Sequence, residues 1–98
     1  MNPVKTALWI AHVEVTDAEA YGHYAKIASE AIAAHGGVFL ARGGAYLQLE
    51  GRDRARNVVA RFPSVQLAID CYNSPRYQEG LAFARGAAIR DLVVVEEV

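Results

Sequence analysis

Three side chains of this sequence could carry acid–base and anion chemistry: His12, Tyr24 and Arg42. Histidine titrates close to neutral pH, so His12 is the candidate general acid or base. The planar guanidinium of Arg42 suits a carboxylate or an oxyanion, and the two glycines that follow it let a ligand approach closely. Tyr24 would orient the ligand through its hydroxyl group. Structural roles are the alternatives: a hydrogen-bonded interface histidine, a packed tyrosine, and an arginine paired with Glu14 or Glu50.

Four more residues are candidate ligand contacts: Tyr21, Arg61, Tyr72 and Tyr77. Buried phenol hydroxyls need hydrogen-bond partners, so a cavity beside these tyrosines could orient a polar ligand; simple packing with one bond each is the alternative. Tyr77 begins a predicted short helix whose amide end could hold an anion. Arg61 falls in a predicted central strand, where a charge needs a partner. We expect Arg61 to pair with a carboxylate across a subunit interface.

The other charged residues near predicted turns are interpreted as surface groups. Residues 51–54, Gly-Arg-Asp-Arg, form a predicted turn with exposed charge. Arg85, Arg90 and Asp91 lie around the last predicted loop, where Asp91 could pair with either arginine. Cys71 has no predicted base beside it, which argues against a nucleophilic role.

The motifs of several common chemistries are missing from the sequence. It contains no Gly-x-Gly-x-x-Gly, P-loop, His-Glu-x-x-His or CxxC pattern, and no serine-centred nucleophile elbow. Three separated histidines and one cysteine do not make a convincing zinc site. We therefore expect neither a metal nor an organic cofactor.

Composition predicts a small folded domain without a polyanionic partner. Its 98 residues predict a single domain over residues 1–98, and 53% of them are hydrophobic. The net charge of -1 favours neither nucleic acid nor an anionic membrane surface as a partner. No apolar run approaches the ~18–20 residues of a membrane span, and the first residues do not resemble a signal peptide. A single cysteine fits the cytoplasm, which is the predicted location.

Hydrophobic periodicity predicts a strand and then a long helix in the first third of the chain. Ala7–Val15 alternates between an apolar face and a half-polar face, which indicates a strand. Thr16 and Glu19 form a predicted capping box that begins the helix. The helix should run to about His35, whose position complements the helix dipole, and Gly36-Gly37 should end it with one glycine in the left-handed conformation.

The rest of the chain predicts short strands and two short helices. Ser64 and Ser74 are the predicted helix N-caps. The Gly43-Gly44 pair suits either a tight hairpin or a bulge. The predicted strands are Val38–Arg42, Ala45–Glu50, Asn57–Phe62 and Leu92–Val95, and the predicted helices are Val65–Tyr72 and a helix from Pro75 to about Ala84.

This order of elements predicts an α+β fold of the ferredoxin-like βαββαβ type, with an antiparallel sheet and its helices on one face. The other sheet face has no cover within the chain, yet its predicted residues are largely apolar. They are Leu8, Ile10, Val38, Leu40 (or Phe39), Val58, Phe62, Val93 and Val95. Contiguous exposed apolar surface marks an interface, so we expect a homodimer in which two sheets pack face to face.

Four motifs occur in a specific order along nearly the whole chain. They are Val13-Glu14-Val15-Thr16-Asp17 with Tyr21 and Tyr24, the Gly-Gly-Val-Phe-Leu-Ala-Arg-Gly-Gly stretch at 36–44, Phe62-Pro63-Ser64, and Tyr-Asn-Ser-Pro-Arg-Tyr-Gln at 72–78. In this order they resemble the DUF1330 family. The resemblance implies a dimeric α+β barrel of ferredoxin-like protomers, with no established activity for the family as a class. Structurally related small barrels include cofactor-independent monooxygenases, isomerases and decyclising enzymes, and fold analogy alone does not transfer function.

The sequence departs from the pattern of that family at three places. Arg61 stands where the family often has Glu, and Cys71 stands where it often has Trp. Residues 52–53 read Arg-Asp where an Asp-Trp pair is common. If the usual Glu and Trp belong to a shared site, that site is altered here.

The sequence is therefore compatible with two functions. The first is a small cofactor-independent enzyme acting on a carboxylate- or carbonyl-bearing metabolite in the barrel, with His12 as acid or base, Arg42 as the oxyanion partner and Tyr24 as the orienting group. The second is a non-catalytic dimeric module for small-ligand binding or interaction. The first requires His12 and Arg42 to line one pocket.

Overall fold

A four-stranded antiparallel sheet organises residues 4–98, the part of the chain that the computed structural model describes. The strand order is β2-β3-β1-β4, and the helices pack against one face, which confirms the predicted ferredoxin-like α+β fold. The strands are β1 (Ala7–Val15), β2 (Val38–Arg42), β3 (Arg56–Phe62) and β4 (Ala88–Glu96), and the helices are α1 (Ala18–Ala34), α2 (Val65–Asn73) and α3 (Pro75–Ala84).

Strand β1 is central, and its predicted alternation is confirmed. Trp9 is buried beneath the helices, beside the cross-strand partners Ala60 and Val94. The small side chain of Ala60 leaves room for the indole ring, which packs 5.5 Å from the Phe62 ring and 5.2 Å from the Tyr77 ring between centroids. Aromatic burial of this kind contributes much of the apolar stabilisation of a small core.

Helix α1 begins one residue later than the capping box predicts. The N-cap is Asp17, whose side chain accepts a hydrogen bond from the backbone N–H of Ala20 at 3.2 Å. Thr16 donates its own backbone N–H to the carbonyl of Ala87 at 2.8 Å, so the chain is tied to the loop before β4 before it enters the helix. At the other end His35 caps the helix and Gly36 adopts a φ of +80°, as predicted.

The segment after β2 is not the strand predicted for residues 45–50. A strand needs a neighbour to satisfy its backbone groups, and residues 45–50 pair with none of the four strands, although β2 has an open edge. Gly43 turns the chain away at a φ of +69°, and its N–H makes a last bond to the carbonyl of Asn57. Residues 44–53 then run as an exposed irregular segment in which Leu47 and Leu49 are 80% and 83% exposed.

The second half of the chain follows its predicted caps. Ser64 accepts from the N–H of Leu67 at 3.1 Å, and Ser74 accepts from the N–H of Tyr77 at 3.2 Å. Strand β4 is longer than the predicted Leu92–Val95, since it runs from Ala88 to Glu96 and includes three charged residues. Among residues 4–98, no helix is long and apolar enough to cross a membrane.

The uncovered sheet face differs from the predicted one on β3. Val58 and Phe62 lie beneath the helices in the core, and the open face of β3 carries Asn57, Val59 and Arg61 instead. The sheet register decides this, because each of these three pairs with an outward residue of β1. The larger apolar members of the open face are Leu8, Ile10, Val38, Leu40, Val59, Ile89, Val93 and Val95.

Candidate functional site

A cavity lies between α1 and the covered face of the sheet. Its volume is about 30 Å³, which is room for roughly two or three water molecules. The apolar part of its wall includes Trp9, Ala11, Ile32, Phe39 and Val58, and the polar part is Tyr21, Tyr24, Ser29, Arg56 and Arg90. A mainly apolar pocket with a few converging polar groups is the usual form of a small-molecule site.

Three side chains from three elements meet at one end of this cavity. Arg90 of β4 donates from Nη2 to the hydroxyl oxygens of Tyr24 and Tyr77, at 2.7 Å and 3.2 Å. The two hydroxyl oxygens are themselves 2.7 Å apart. The guanidinium carbon also lies 4.6 Å from the centroid of the Tyr24 ring. We call these residues the Arg90–tyrosine cluster.

The Arg90–tyrosine cluster has more hydrogen-bond donors than acceptors. Each phenol offers one hydrogen, and only one of the two is used between Tyr24 and Tyr77. The Nε atom of Arg90 is buried and has no hydrogen-bond partner among residues 4–98. One phenol hydrogen and the Nε–H of Arg90 therefore have no acceptor among residues 4–98.

Burial keeps both phenols protonated. Desolvation raises the pKa of Tyr24 far above its usual range, and the neighbouring Tyr77 raises it further. Desolvation also raises the pKa of Tyr77, although the positive charge of Arg90 opposes this shift. For Arg90, burial opposes the charge, but the two tyrosines outweigh it and raise its pKa. At neutral pH the cluster is therefore cationic and donates hydrogen bonds.

A second arginine faces the same cavity. Val13 on β1 is the cross-strand partner of Arg56 on one side and of Arg90 on the other, so both arginines project from the covered face. The guanidinium carbon of Arg56 lies 5.5 Å from the centroid of the Tyr21 ring. The Nε atom of Arg56 is buried, and no group in the described chain accepts its hydrogen.

The structure brings together three of the predicted site residues. Tyr21 and Tyr24 line the cavity, and Tyr77 lies behind its wall, where its hydroxyl group bonds to that of Tyr24. Tyr72 lies further out, where its partly exposed ring packs 5.3 Å from the ring of Tyr77 and 6.2 Å from that of Trp9. Tyr72 therefore supports the aromatic core and does not line the cavity.

The structure does not bring His12 and Arg42 into one pocket of the protomer. His12 projects from the open face, where its Nδ1 atom bonds the side-chain oxygen of Asn57 at 2.7 Å. Arg42 pairs with Val58 on the covered side and stacks on Phe39, with its guanidinium carbon 4.5 Å from the ring centroid. Among residues 4–98, Arg42 forms this stacking contact and not the alternative ion pair with Glu14 or Glu50. Catalytic roles for His12 and Arg42 stay predictions.

Sequence reasoning missed Arg56, and it placed Arg90 and Arg54 at the surface. Arg90 shares its side of β4 with Leu92, and Arg56 shares its side of β3 with Val58, so the alternation of each strand carries the signal. Arg54 is only 8% exposed and pairs with Asp91 at 3.2 Å, although it follows a charged turn.

Metal chemistry has no support from side-chain clustering. Among residues 4–98, no group of three or more histidine, cysteine, aspartate or glutamate side chains could hold a metal ion.

The sequence of motifs and the fold agree with one family. A model of the family DUF1330, described as a domain of unknown function, matches residues 6–98. The chain belongs to the DUF1330 family. No curated protein is detectably similar to this DUF1330 chain in sequence.

Solved structures share the fold of this DUF1330 protein at low identity. RPA0582 from Rhodopseudomonas palustris, a protein of unknown function, is 21% identical with a TM-score of 0.78, over 96% of this chain and 83% of its own. A dimeric ferredoxin-like protein of unknown function from Thermobifida fusca is 19% identical with a TM-score of 0.65, over 96% and 92% of the two chains. A mutant of SnoaB, a cofactor-independent oxygenase from Streptomyces nogalater, is 14% identical with a TM-score of 0.65, over 93% and 91% of the two chains.

The structure defines the surroundings of two residues that depart from the DUF1330 pattern. Arg61 lies on the open face and pairs with Glu97 of the same chain, Nε to Oε1 at 2.7 Å, which corrects the expected partner across an interface. Cys71 is fully buried in α2, and desolvation raises the pKa of its thiol to about 11. Neither residue lines the cavity, so these two departures leave its wall unchanged.

Proposed function

We propose that this DUF1330 protein binds a small carboxylate or enolate-type anion in the cavity beneath α1. The Arg90–tyrosine cluster would hold the charged oxygen. The observation that carries this proposal is the half-buried charge of Arg90, whose hydrogen-bond partners are the phenols of Tyr24 and Tyr77 and not a carboxylate.

Electrostatics supports an anion as the missing partner. Burial disfavours a charge that lacks a counterion, and among residues 4–98 no carboxylate pairs with Arg90. The phenols cannot supply the negative charge at neutral pH, because burial raises the pKa values of Tyr24 and Tyr77. An anion bound beside Arg90 would neutralise the charge and accept the free donors. Charge-assisted hydrogen bonds to a guanidinium are among the stronger ones in proteins.

We further propose that the protein is a homodimer in which the open sheet faces of two copies pack together. The face carries exposed apolar side chains such as Val38, Leu40, Val93 and Val95. Exposed apolar surface on this scale is unusual in a monomer. The structural relatives described as dimeric and ferredoxin-like lend support to this assembly. The buried free thiol of Cys71 suits the reducing cytoplasm, where we propose that the dimer functions.

Fluorescence of the single tryptophan offers a direct test of the binding proposal. Trp9 lines the cavity, so a bound anion should change its emission. We expect acetate to give a saturable change at constant ionic strength, with sodium chloride as the compensating salt. Arg90→Gln should weaken acetate binding by about tenfold or more, since a charged hydrogen bond contributes about 1.5–3 kcal/mol.

Arg85→Gln is the matched control, because Arg85 is an exposed arginine that does not line the cavity. It should bind acetate as the wild type does. Equal acetate affinity in the Arg90→Gln and wild-type proteins, or no saturable change in the wild type, would contradict the proposal.

Catalysis at the same site is the second candidate. Donors fixed around an oxygen stabilise the negative charge of a developing enolate, which is how many sites lower the barrier to removing a proton beside a carbonyl. SnoaB, a cofactor-independent oxygenase, shows that this fold can support catalysis, which favours this candidate. Within the described part of the cavity wall, however, no side chain is a base at neutral pH.

Pyruvate in heavy water tests this candidate without requiring the natural substrate. A catalyst would pass a methyl proton to a base and return a deuteron from solvent, so the methyl proton signal would decline faster than in buffer. Acceleration that disappears in Arg90→Gln and persists in Arg85→Gln would establish catalysis. Pyruvate that binds without faster exchange would leave binding as the function.

A further inference from the structure

We infer that the ligand of this cavity is a short dicarboxylate-type dianion, with one acidic group held by Arg90 and the other by Arg56. This inference rests on the proposed anion site and adds a second charge requirement to it.

The two arginines are arranged as a pair across the sheet. Each is the cross-strand neighbour of Val13, so their Cα atoms are two strand spacings apart, about 9.5 Å. Both line the same cavity. A single carboxylate beside Arg90 would leave Arg56 without a counterion, whereas a two-ended ligand would meet both.

Each arginine is held by a tyrosine of α1. Arg90 lies 4.6 Å from the centroid of the Tyr24 ring, and Arg56 lies 5.5 Å from that of Tyr21. The two rings are 5.1 Å apart between centroids, on successive positions of the buried stripe of α1. Stacking of this kind restrains a guanidinium while leaving its N–H edge available for an acceptor.

The unused donors point to two acceptors. The Nε atoms of both Arg56 and Arg90 are buried and lack a hydrogen-bond partner within residues 4–98. Native structures leave few buried polar groups unsatisfied, so two such atoms on the wall of one cavity mark a place for a ligand.

The carboxylates of the chain do not fill this place. The ion pairs of the described residues join Arg54 with Asp91, Arg61 with Glu97, and Arg76 with Glu30 and Glu79. None of these residues lines the cavity. The two guanidiniums of the cavity therefore repel each other until an anion enters.

The cavity limits the ligand to a small one. About 30 Å³ accommodates roughly two or three water molecules, so even a short ligand requires the walls to move apart. Oxalate and malonate are the two shortest dicarboxylates and require the smallest movement. The apolar side chains around the arginines give a longer polar chain no further partner.

Titration of a ligand series through Trp9 fluorescence tests the inference. Acetate, oxalate, malonate, succinate and inorganic phosphate would be added at constant ionic strength to the wild type, Arg56→Gln, Arg90→Gln and Arg85→Gln. We expect oxalate or malonate to bind at least about tenfold more tightly than acetate. Arg56→Gln should remove this advantage while leaving acetate binding within about threefold of the wild type.

Arg56→Lys guards against a general loss of folding. It keeps the positive charge but loses the planar fork, so it should retain part of the preference for the dicarboxylate. Acetate binding with no preference for oxalate or malonate would overturn this inference and leave the proposed function intact. Phosphate binding more tightly than every dicarboxylate would also overturn it, since phosphate is a compact dianion. No binding of any anion would overturn both proposals.

Discussion

The hydroxyl groups of Tyr24 on α1 and Tyr77 on α3 lie 2.7 Å apart, although the two residues are 53 positions apart in the sequence. Arg90 of β4 donates a hydrogen bond to each of them. One polar contact thus ties two helices to an edge strand of the sheet at the end of the cavity. The same atoms would stabilise the fold and hold a ligand, which makes the two roles separable only by matched variants.

Removal of the Tyr77 hydroxyl should affect both properties. Tyr77→Phe keeps the buried ring but removes the partner of Tyr24 and one acceptor of Arg90. We expect the free energy of unfolding to fall by about 1 kcal/mol, measured by urea denaturation, because a buried hydrogen bond contributes about that much. Acetate affinity should fall as well, because Tyr24 and Arg90 each lose the hydroxyl group that helps to fix their positions.

Tyr72→Phe is the control for that change. Tyr72 is half-exposed and touches Trp9 and Tyr77 through its ring. Its loss of a hydroxyl should leave the unfolding free energy and acetate affinity within error of the wild type. Equal effects of the two substitutions would show that the contact between Tyr24 and Tyr77 contributes neither to the unfolding free energy nor to acetate affinity.

Alkaline pH should destabilise the protein through the same two phenols. The pKa values of Tyr24 and Tyr77 are raised in the folded state by burial, while an unfolded tyrosine ionises near pH 10. The folded protein therefore retains protons that the unfolded chain releases. This contribution is fully present below about pH 10 and is lost as pH rises towards the folded pKa values.

Urea denaturation from about pH 8 to about pH 11 measures this loss. The wild type should lose stability more steeply above pH 10 than the double variant Tyr24→Phe/Tyr77→Phe, while Tyr72→Phe should follow the wild type. Absorbance of tyrosinate in the folded protein should show fewer than the full five tyrosines titrating near pH 10. Parallel pH profiles of the wild type and the double variant would refute the assignment.

Gly43 should matter for the site, whereas its neighbour Gly44 should not. Gly43 has a φ of +69°, and a Cβ atom there would lie 2.8 Å from Nη1 of Arg56. Gly43→Ala should therefore destabilise the fold by about 1–2 kcal/mol, the cost of a left-handed alanine. It should also displace Arg56 and reduce oxalate binding more than acetate binding.

Gly44→Ala is the control, because it makes the same substitution at a glycine where a Cβ atom would meet nothing within 4 Å. Melting temperature and the oxalate-to-acetate affinity ratio are the two measurements. A Gly43→Ala protein with wild-type values of both would show that the position of Arg56 does not depend on this glycine.

The helices and the central strand were predictable because short-range rules decide them. The alternation of β1 and the serine caps at Ser64 and Ser74 agree with the structure. The sequence did not identify Arg56 and Arg90 as cavity residues. Charged residues are rarely buried, so they are normally assigned to the surface. Their positions depend on pairing with Val13, which joins three strands distant in sequence.

The failure to bring His12 and Arg42 together has a specific local cause. Regular alternation from Val38 would put Arg42 on the open face, the face of His12. The pairing of β2 with β3 instead contains one extra residue between Phe39 and Ala41. A one-residue shift moves every later side chain to the other face, so Arg42 turns to the covered side. The local sequence does not predict this bulge, because Gly43 and Gly44 are equally compatible with a hairpin.

The homodimer can be tested with two substitutions on opposite layers of the protomer. Val93 is 53% exposed on the open face of β4, and Ile69 is 41% exposed on α2. Val93→Asp would place a charge inside the proposed interface without a partner, which is strongly unfavourable in a desolvated contact. Ile69→Asp adds the same charge on α2, away from that face.

In sedimentation equilibrium the wild type and Ile69→Asp should have about twice the 10.6 kDa chain mass, whereas Val93→Asp should have the mass of one chain. A wild-type protein of one chain mass at all concentrations would contradict the assembly. A dimeric Val93→Asp would place the contact elsewhere than on the open sheet face.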